Sequence, residues 1–243
     1  MPTKSAPNPL SPIARNTLQE QVYAQLRASL SDGRFKPGQT LTIRDLAQQL
    51  GTSVMPVREA LHKLTSEQVL DMTAARSVRV PALGGAKFQE ICEARILLEG
   101  QLAELAAERA DAGDIERLEQ AHEGFSSGKV ARDPSVPLRR NREFHFAVYA
   151  AAHHSTLFDL VEPLWVRCGP SMLALFEELG SDQIKRVASK THDSIVRAIR
   201  EHRAADAKRG VVDDIKATLE RYRKHLEKIR AAGKPSLFTG AES

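Results

Sequence analysis

Residues 53–66 read Ser53-Val54-Met55-Pro56-Val57-Arg58-Glu59-Ala60-Leu61-His62-Lys63-Leu64-Thr65-Ser66, and this stretch decides the fold. Val57, Ala60, Leu61 and Leu64 fall at i, i+3, i+4 and i+7, the period of one helical face, while Arg58, Glu59, His62 and Lys63 fall on the other side. Ser53 is placed to cap the helix, and Pro56 sits in its first turn, where a missing N–H costs nothing. One face packs and the other is free to touch a partner.

Upstream, Thr42 and Asp45 form a capping box that opens a short helix ending at Gly51. The segment Gly33-Arg34-Phe35-Lys36-Pro37-Gly38 is a turn. Before it, Leu18, Val22, Leu26 and Leu30 share a helical face, with Thr17 and Glu20 as a second capping box and Gly33 as the stop. Downstream, 69–72 and 77–80 are predicted strands around a tight turn at 73–76. Three helices and a hairpin make a winged helix-turn-helix over 16–80. Residues 1–15 carry Pro2, Pro7, Pro9 and Pro12 without a hydrophobic period and are expected to form a disordered arm. Residues 81–87, with two glycines, read as a linker.

Such a unit reads DNA by laying its third helix in the major groove. Arg58 and His62 project from the free face of that helix. Arg44 is placed to clamp a phosphate or a guanine edge, and Arg76 and Arg79 on the wing reach backbone or minor groove. Charge agrees: residues 1–80 hold 10 Lys and Arg against 6 Asp and Glu, and the remainder holds 25 against 25, so the net +4 lies wholly in the first third.

From residue 88 no strand pattern survives. Amphipathic helices are predicted at 88–111, 114–128, 135–153, 155–180, 182–201 and 204–230, with Pro163 and Pro170 breaking or kinking the fourth and a frayed tail over 231–243. Short connections favour an antiparallel bundle. The fold class is mainly α: the winged unit followed by an all-helical domain over 88–230. No apolar run approaches a membrane span and no signal peptide is seen, so a cytoplasmic location is expected, with no membrane partner. Cys92 and Cys168 have no motif spacing and read as buried or idle thiols.

Within the helical domain, Asn141 and His145 lie four residues apart on one face, His192 opens another helix, and Asp214 lies in the last. Imidazole and carboxylate groups converging from three helices can hold a divalent ion with coordination positions left open. From spacing alone the signal is weak, since a histidine on a helix is more often a capped or surface residue.

Residues 18–80, above all Phe35-Lys36-Pro37-Gly38-Gln39-Thr40-Leu41, Arg44-Asp45-Leu46-Ala47 and Met55-Pro56-Val57-Arg58-Glu59-Ala60-Leu61, resemble the winged helix-turn-helix of GntR-family bacterial regulators. The resemblance implies that Arg44 and Arg58 contact operator DNA. Val54 stands where many relatives have a DNA-contacting arginine, and Ala75 replaces the usual wing-tip glycine. Residues 88–230, through Glu93-Ala94-Arg95-Ile96-Leu97-Leu98-Glu99, Phe144-His145 and His192 with Ala198-Ile199, resemble the FCD ligand-binding domain of the FadR branch. Many members bind a metal through one Asp and three His. By that likeness Asn141 falls at the Asp, His145 and His192 match histidines, and Asp214 falls at the third His, so the carboxylate has moved from the first position to the last. Two nitrogen and two oxygen donors still suit Zn²⁺ or another divalent transition ion. The alternative is a metal-free pocket in which the four residues bond one another or the effector.

Arg95 resembles a family arginine that faces the pocket and would pair with an effector carboxylate; an internal bridge to Glu99 at i+4 is the alternative. The expected function is a homodimeric DNA-binding regulator, a repressor, on double-stranded operator DNA, controlled by a small carboxylic acid effector. A metal-dependent enzyme tethered to DNA and a ligand-independent DNA binder are the rivals; with no nucleophile elbow or phosphate loop in the chain, it is not expected to be an enzyme.

Overall fold

Val22, Leu26 and Leu30 recur every four residues and give α1 (Leu18–Ser31) its buried stripe. This is the first element of the computed structural model, which describes residues 18–73, 77–126 and 133–232. At Gly33 the backbone has φ +67°, and a Cβ there would lie 2.6 Å from a methyl of Leu138, so conformation and space both require glycine at the turn. The chain then forms β1 (Thr40–Thr42), α2 (Ile43–Gln49) and α3 (Val54–Ser66), followed by β2 (Asp71–Met72) and β3 (Ser77–Arg79). The strands form an antiparallel sheet in the order β1-β3-β2, with Thr40 and Asp71 both opposite Arg79. Leu30, Val57, Ala60, Leu64, Leu70 and Val80 fill the core beneath it.

Several local expectations are corrected. The strand β1 lies between the turn read at 33–38 and the Thr42 cap, where no element was expected; three residues with only Leu41 buried carry no detectable period. The hairpin strands are shorter than 69–72 and 77–80 because Val69 N–H and Leu70 N–H donate to the Leu64 carbonyl, closing α3 rather than pairing with a neighbour strand. Thr42 does cap α2, accepting from Asp45 N–H at 3.2 Å, but Ser53 makes no side-chain cap. The Thr17 cap, the arm 1–15, the turn residues 74–76 and the tail from 233 lie outside the described residues.

The remaining helices are α4 (Gly85–Arg109), α5 (Ala112–Ser126), α6 (Ser135–Ala150), α7 (Ser155–Leu179), α8 (Ser181–Arg200) and α9 (Ala204–Ala231). Helix α4 starts inside the expected linker; Leu83 is already buried and its carbonyl accepts from Tyr222 Oη at 2.8 Å. At its other end α9 continues one residue into the expected tail. Helices α4 and α9 run antiparallel: Phe88 stacks on Tyr222 with centroids 3.9 Å apart, and Glu104, further along α4, meets Lys208, earlier on α9. Helix α7 passes unbroken through Pro163 and Pro170. Each proline forfeits one backbone bond, and burial of Val161, Trp165, Val166, Met172, Leu173 and Phe176 on the same helix offsets the loss.

The two units meet along α1 and α7. Val166 inserts into the core of the N-terminal unit, and at Gly169 a Cβ would lie 2.2 Å from the Leu30 carbonyl oxygen, so the helices touch backbone to backbone. Both cysteines are buried and free, as expected. Among the described residues no helix is long and apolar enough to cross a membrane.

Candidate functional site

Packing of Val57, Ala60, Leu61 and Leu64 turns the opposite face of α3 outward, so Arg58 and His62 are exposed. They line one groove of about 340 Å³ with Ile43, Met72 and Ser77, and exposed Arg44 and Arg79 stand on the neighbouring α2 and β3. Val54 and Met55 are exposed apolar side chains at the first turn of α3, the kind of surface that meets thymine methyl groups. Lys63 is otherwise engaged: its ammonium lies 4.0 Å over the Tyr23 ring, whose hydroxyl donates to Glu67. Arg76 lies outside the described residues.

In the helical domain, α6 turns Asn141, His145 and Tyr149 inward at four-residue spacing, all buried. His145 Nε2 lies 3.3 Å from Asp214 Oδ2 on α9, and its ring meets that of His192 on α8 edge to face at 5.2 Å. Donor atoms of His145, His192 and Asp214 all fall within 4.8 Å of one another. His192 is fully buried, stacked on Phe144 at 3.9 Å, and neither ring nitrogen has a hydrogen-bond partner among the described residues; His145 Nε2 also lacks one. Burial pushes the His192 imidazole down to about 3, with His145 and His122 adding to the effect and Asp214 opposing it, so the ring is neutral and can ligate.

An unpartnered buried polar atom costs about 1–3 kcal/mol, and this cluster collects three nitrogens in that state around one carboxylate. A divalent cation would answer His145 Nε2 and one nitrogen of His192 beside the Asp214 carboxylate, so the donor set fits a metal. Asn141 and Asp214 also line a cavity of about 30 Å³ with Met172, Phe176 and Thr218. Three of the four expected metal ligands, His145, His192 and Asp214, are thus brought together, and Asn141 shares a cavity lining with Asp214. Arg95 is not with them: it is 3% exposed, away from that cavity's lining, and its Nε and Nη2 donate to Glu99 at 2.6 and 3.3 Å.

Glu99 was not foreseen as a site residue. It is fully buried and also receives Trp165 Nε1 at 3.0 Å and the Tyr149 hydroxyl, while the Arg95 guanidinium lies 4.1 Å over the Trp165 ring. Burial works against the Arg95 charge, but Glu99 outweighs it and holds the guanidinium above its usual range. Four donors on one carboxylate satisfy a group that would otherwise be too costly to bury. The four-residue step from His145 to Tyr149 was the available signal for this neighbour.

Compared with known proteins, residues 18–80 match the family model described as bacterial regulatory proteins, gntR family, and residues 90–217 match the FCD domain model. The chain is 33% identical to the HTH-type transcriptional regulator McbR of Escherichia coli K12 over 72% of this chain and 80% of that one. It is 28% identical to the HTH-type transcriptional repressor GlaR of the same organism over 59% and 67%. A solved structure of E. coli McbR/YncC superposes with a TM-score of 0.82 at 27% identity, covering 87% of this chain and all of that one.

Proposed function

The chain belongs to the GntR family of bacterial regulatory proteins and carries an FCD domain, which makes it a DNA-binding transcriptional regulator rather than an enzyme, and from that premise we propose that its operator affinity is set by a small carboxylic acid bound through a divalent metal in the helical domain. The observation that carries this is His192, buried with both ring nitrogens unpartnered beside His145 Nε2 and Asp214. Asn141, His145, His192 and Asp214 would hold the ion. Zn²⁺ or a similar ion supplies a Lewis acid with open positions for carboxylate oxygens. Arg95 acts through Glu99 in this reading, as support for the site rather than as the effector's own ligand.

The reading of the protein as a repressor follows its likeness to GlaR. A two-fold dimer fits a winged helix-turn-helix reading paired half-sites. Coupling has a short route: α6 carries Asn141 and His145 on its inward face, while Leu138 and Arg142 of the same helix meet Gly33 and Asp32 at the end of α1. An effector that binds two arrangements of α6 unequally shifts the DNA-binding unit by that difference in affinity.

Elemental analysis of the untagged chain, purified without chelator and compared with His192→Ala, tests the metal. About one equivalent of a transition ion per chain, lost in the variant, is expected. No metal in either protein overturns the reading.

A further inference from the structure

Tyr149 sits between two groups that compete for its single hydroxyl proton. Its hydroxyl donates to Glu99 Oε2, and its oxygen lies 3.2 Å from His145 Nδ1. Glu99 has no proton to return, because its carboxylate is paired with Arg95 and accepts from Trp165 as well. The Tyr149 proton therefore belongs to Glu99, and the Tyr149 oxygen faces Nδ1 with a lone pair.

We propose that Tyr149, fixed by Glu99, sets the tautomer of His145, placing its proton on Nδ1 and leaving the Nε2 lone pair to face Asp214 and His192 as a ready metal ligand. The inference rests on the metal reading above and adds a positioning residue to it. The opposite tautomer, with Nε2–H directed at Asp214, would suit a metal-free cluster; it would also set two lone pairs against each other at 3.2 Å between Tyr149 Oη and His145 Nδ1. With the proton on Nδ1, the Nε2 lone pair points at a carboxylate oxygen 3.3 Å away, an arrangement that a metal ion between them makes favourable; a second ring proton would do so too, and both nitrogens would then read as protonated. Metal-bound histidines are commonly oriented through their second nitrogen by a carboxylate or carbonyl, and loss of such a partner costs 10–100-fold in metal affinity. Here the carboxylate acts through a phenol.

The test uses the full chain stripped of metal. Zn²⁺ is titrated calorimetrically against a competing chelator into the unmodified protein and Tyr149→Phe, and the His145 tautomer is read from its ring ¹⁵N shifts at pH 8 once the protein is reloaded with Zn²⁺. The expected result is a proton on Nδ1 alone in the unmodified chain, an altered tautomer in Tyr149→Phe, and about a 10–100-fold loss of Zn²⁺ affinity in that variant. Equal Zn²⁺ affinity in the two proteins overturns the relay and leaves the metal reading standing. No Zn²⁺ uptake by either overturns the metal reading. Should Tyr149→Phe fail to fold, the shifts of the unmodified chain decide: a protonated Nε2 overturns the relay.

Discussion

Asp32 and Arg142 form an ion pair across the domain boundary: the carboxylate at the end of α1 lies 2.8 Å from the guanidinium on α6, and Arg142 directly follows Asn141. Both side chains are largely shielded, so solvent screens the pair less than a surface bridge. A double-mutant cycle on Asp32→Ala and Arg142→Ala, measured by urea unfolding, is expected to give a coupling energy of about 1 kcal/mol. Both variants should retain Zn²⁺. A coupling energy indistinguishable from zero would remove this pair from the route between site and DNA-binding unit.

Arg58 on α3 and Arg79 on β3 are expected to serve DNA differently, and their variants should separate. With an operator duplex selected from a random pool, Arg58→Ala is expected to cost about 1–3 kcal/mol and to relax the preference for one base. Arg79→Ala, on the wing, should weaken all duplexes alike and lower the salt slope of binding by about one. Equal losses on selected and random duplexes for Arg58→Ala would show that this residue holds phosphate rather than reading bases.

What the chain made legible follows from length and period. Fourteen residues of α1 and thirteen of α3 repeat their apolar stripe several times, so both helices and the exposure of Arg58 and His62 could be read directly. Strand β1 could not, because three residues hold one buried side chain. Asn141, His145, His192 and Asp214 were reachable through family likeness, and His145 with Tyr149 through helical spacing. The union of Arg95, Glu99, Tyr149 and Trp165 was not: it joins three helices, and sequence separation of 50 and 66 residues leaves no local trace. A break at Pro163 or Pro170 does not occur for the opposite reason, since their cost is local and the burial that offsets it is tertiary.

Glu99→Ala should be among the most damaging single substitutions in the helical domain. It leaves the Arg95 guanidinium, Trp165 N–H and Tyr149 O–H without their common acceptor in a site closed to water. Breaking a buried ion pair from one side costs about 3–5 kcal/mol. Urea unfolding should show a loss of that order, whereas a loss under about 1 kcal/mol would mean that the three donors find other partners.

Asp114 gives stability a defined acid limit. At the start of α5, Asp111 Oδ1 accepts from Asp114 N–H at 2.8 Å and Asp114 Oδ2 accepts from Asp111 N–H at 3.0 Å, a reciprocal cap. Arg117 and His153 also reach the buried Asp114 carboxylate, at 2.6 and 2.7 Å. Burial alone would raise its pKa, but the Asp111 N–H, Arg117 and His153 outweigh it and hold the group below 3.8. A carboxyl depressed on folding contributes stability fully above its unfolded value and loses it as pH falls through the folded one. Asp114→Asn keeps a cap acceptor and removes the charge. The gap in unfolding free energy between the unmodified chain and this variant, about 1–2 kcal/mol, should stay level from pH 7 to about pH 5 and close below about pH 4. A gap that widened in acid would mean the carboxyl is raised in the folded protein, against the three donors around it.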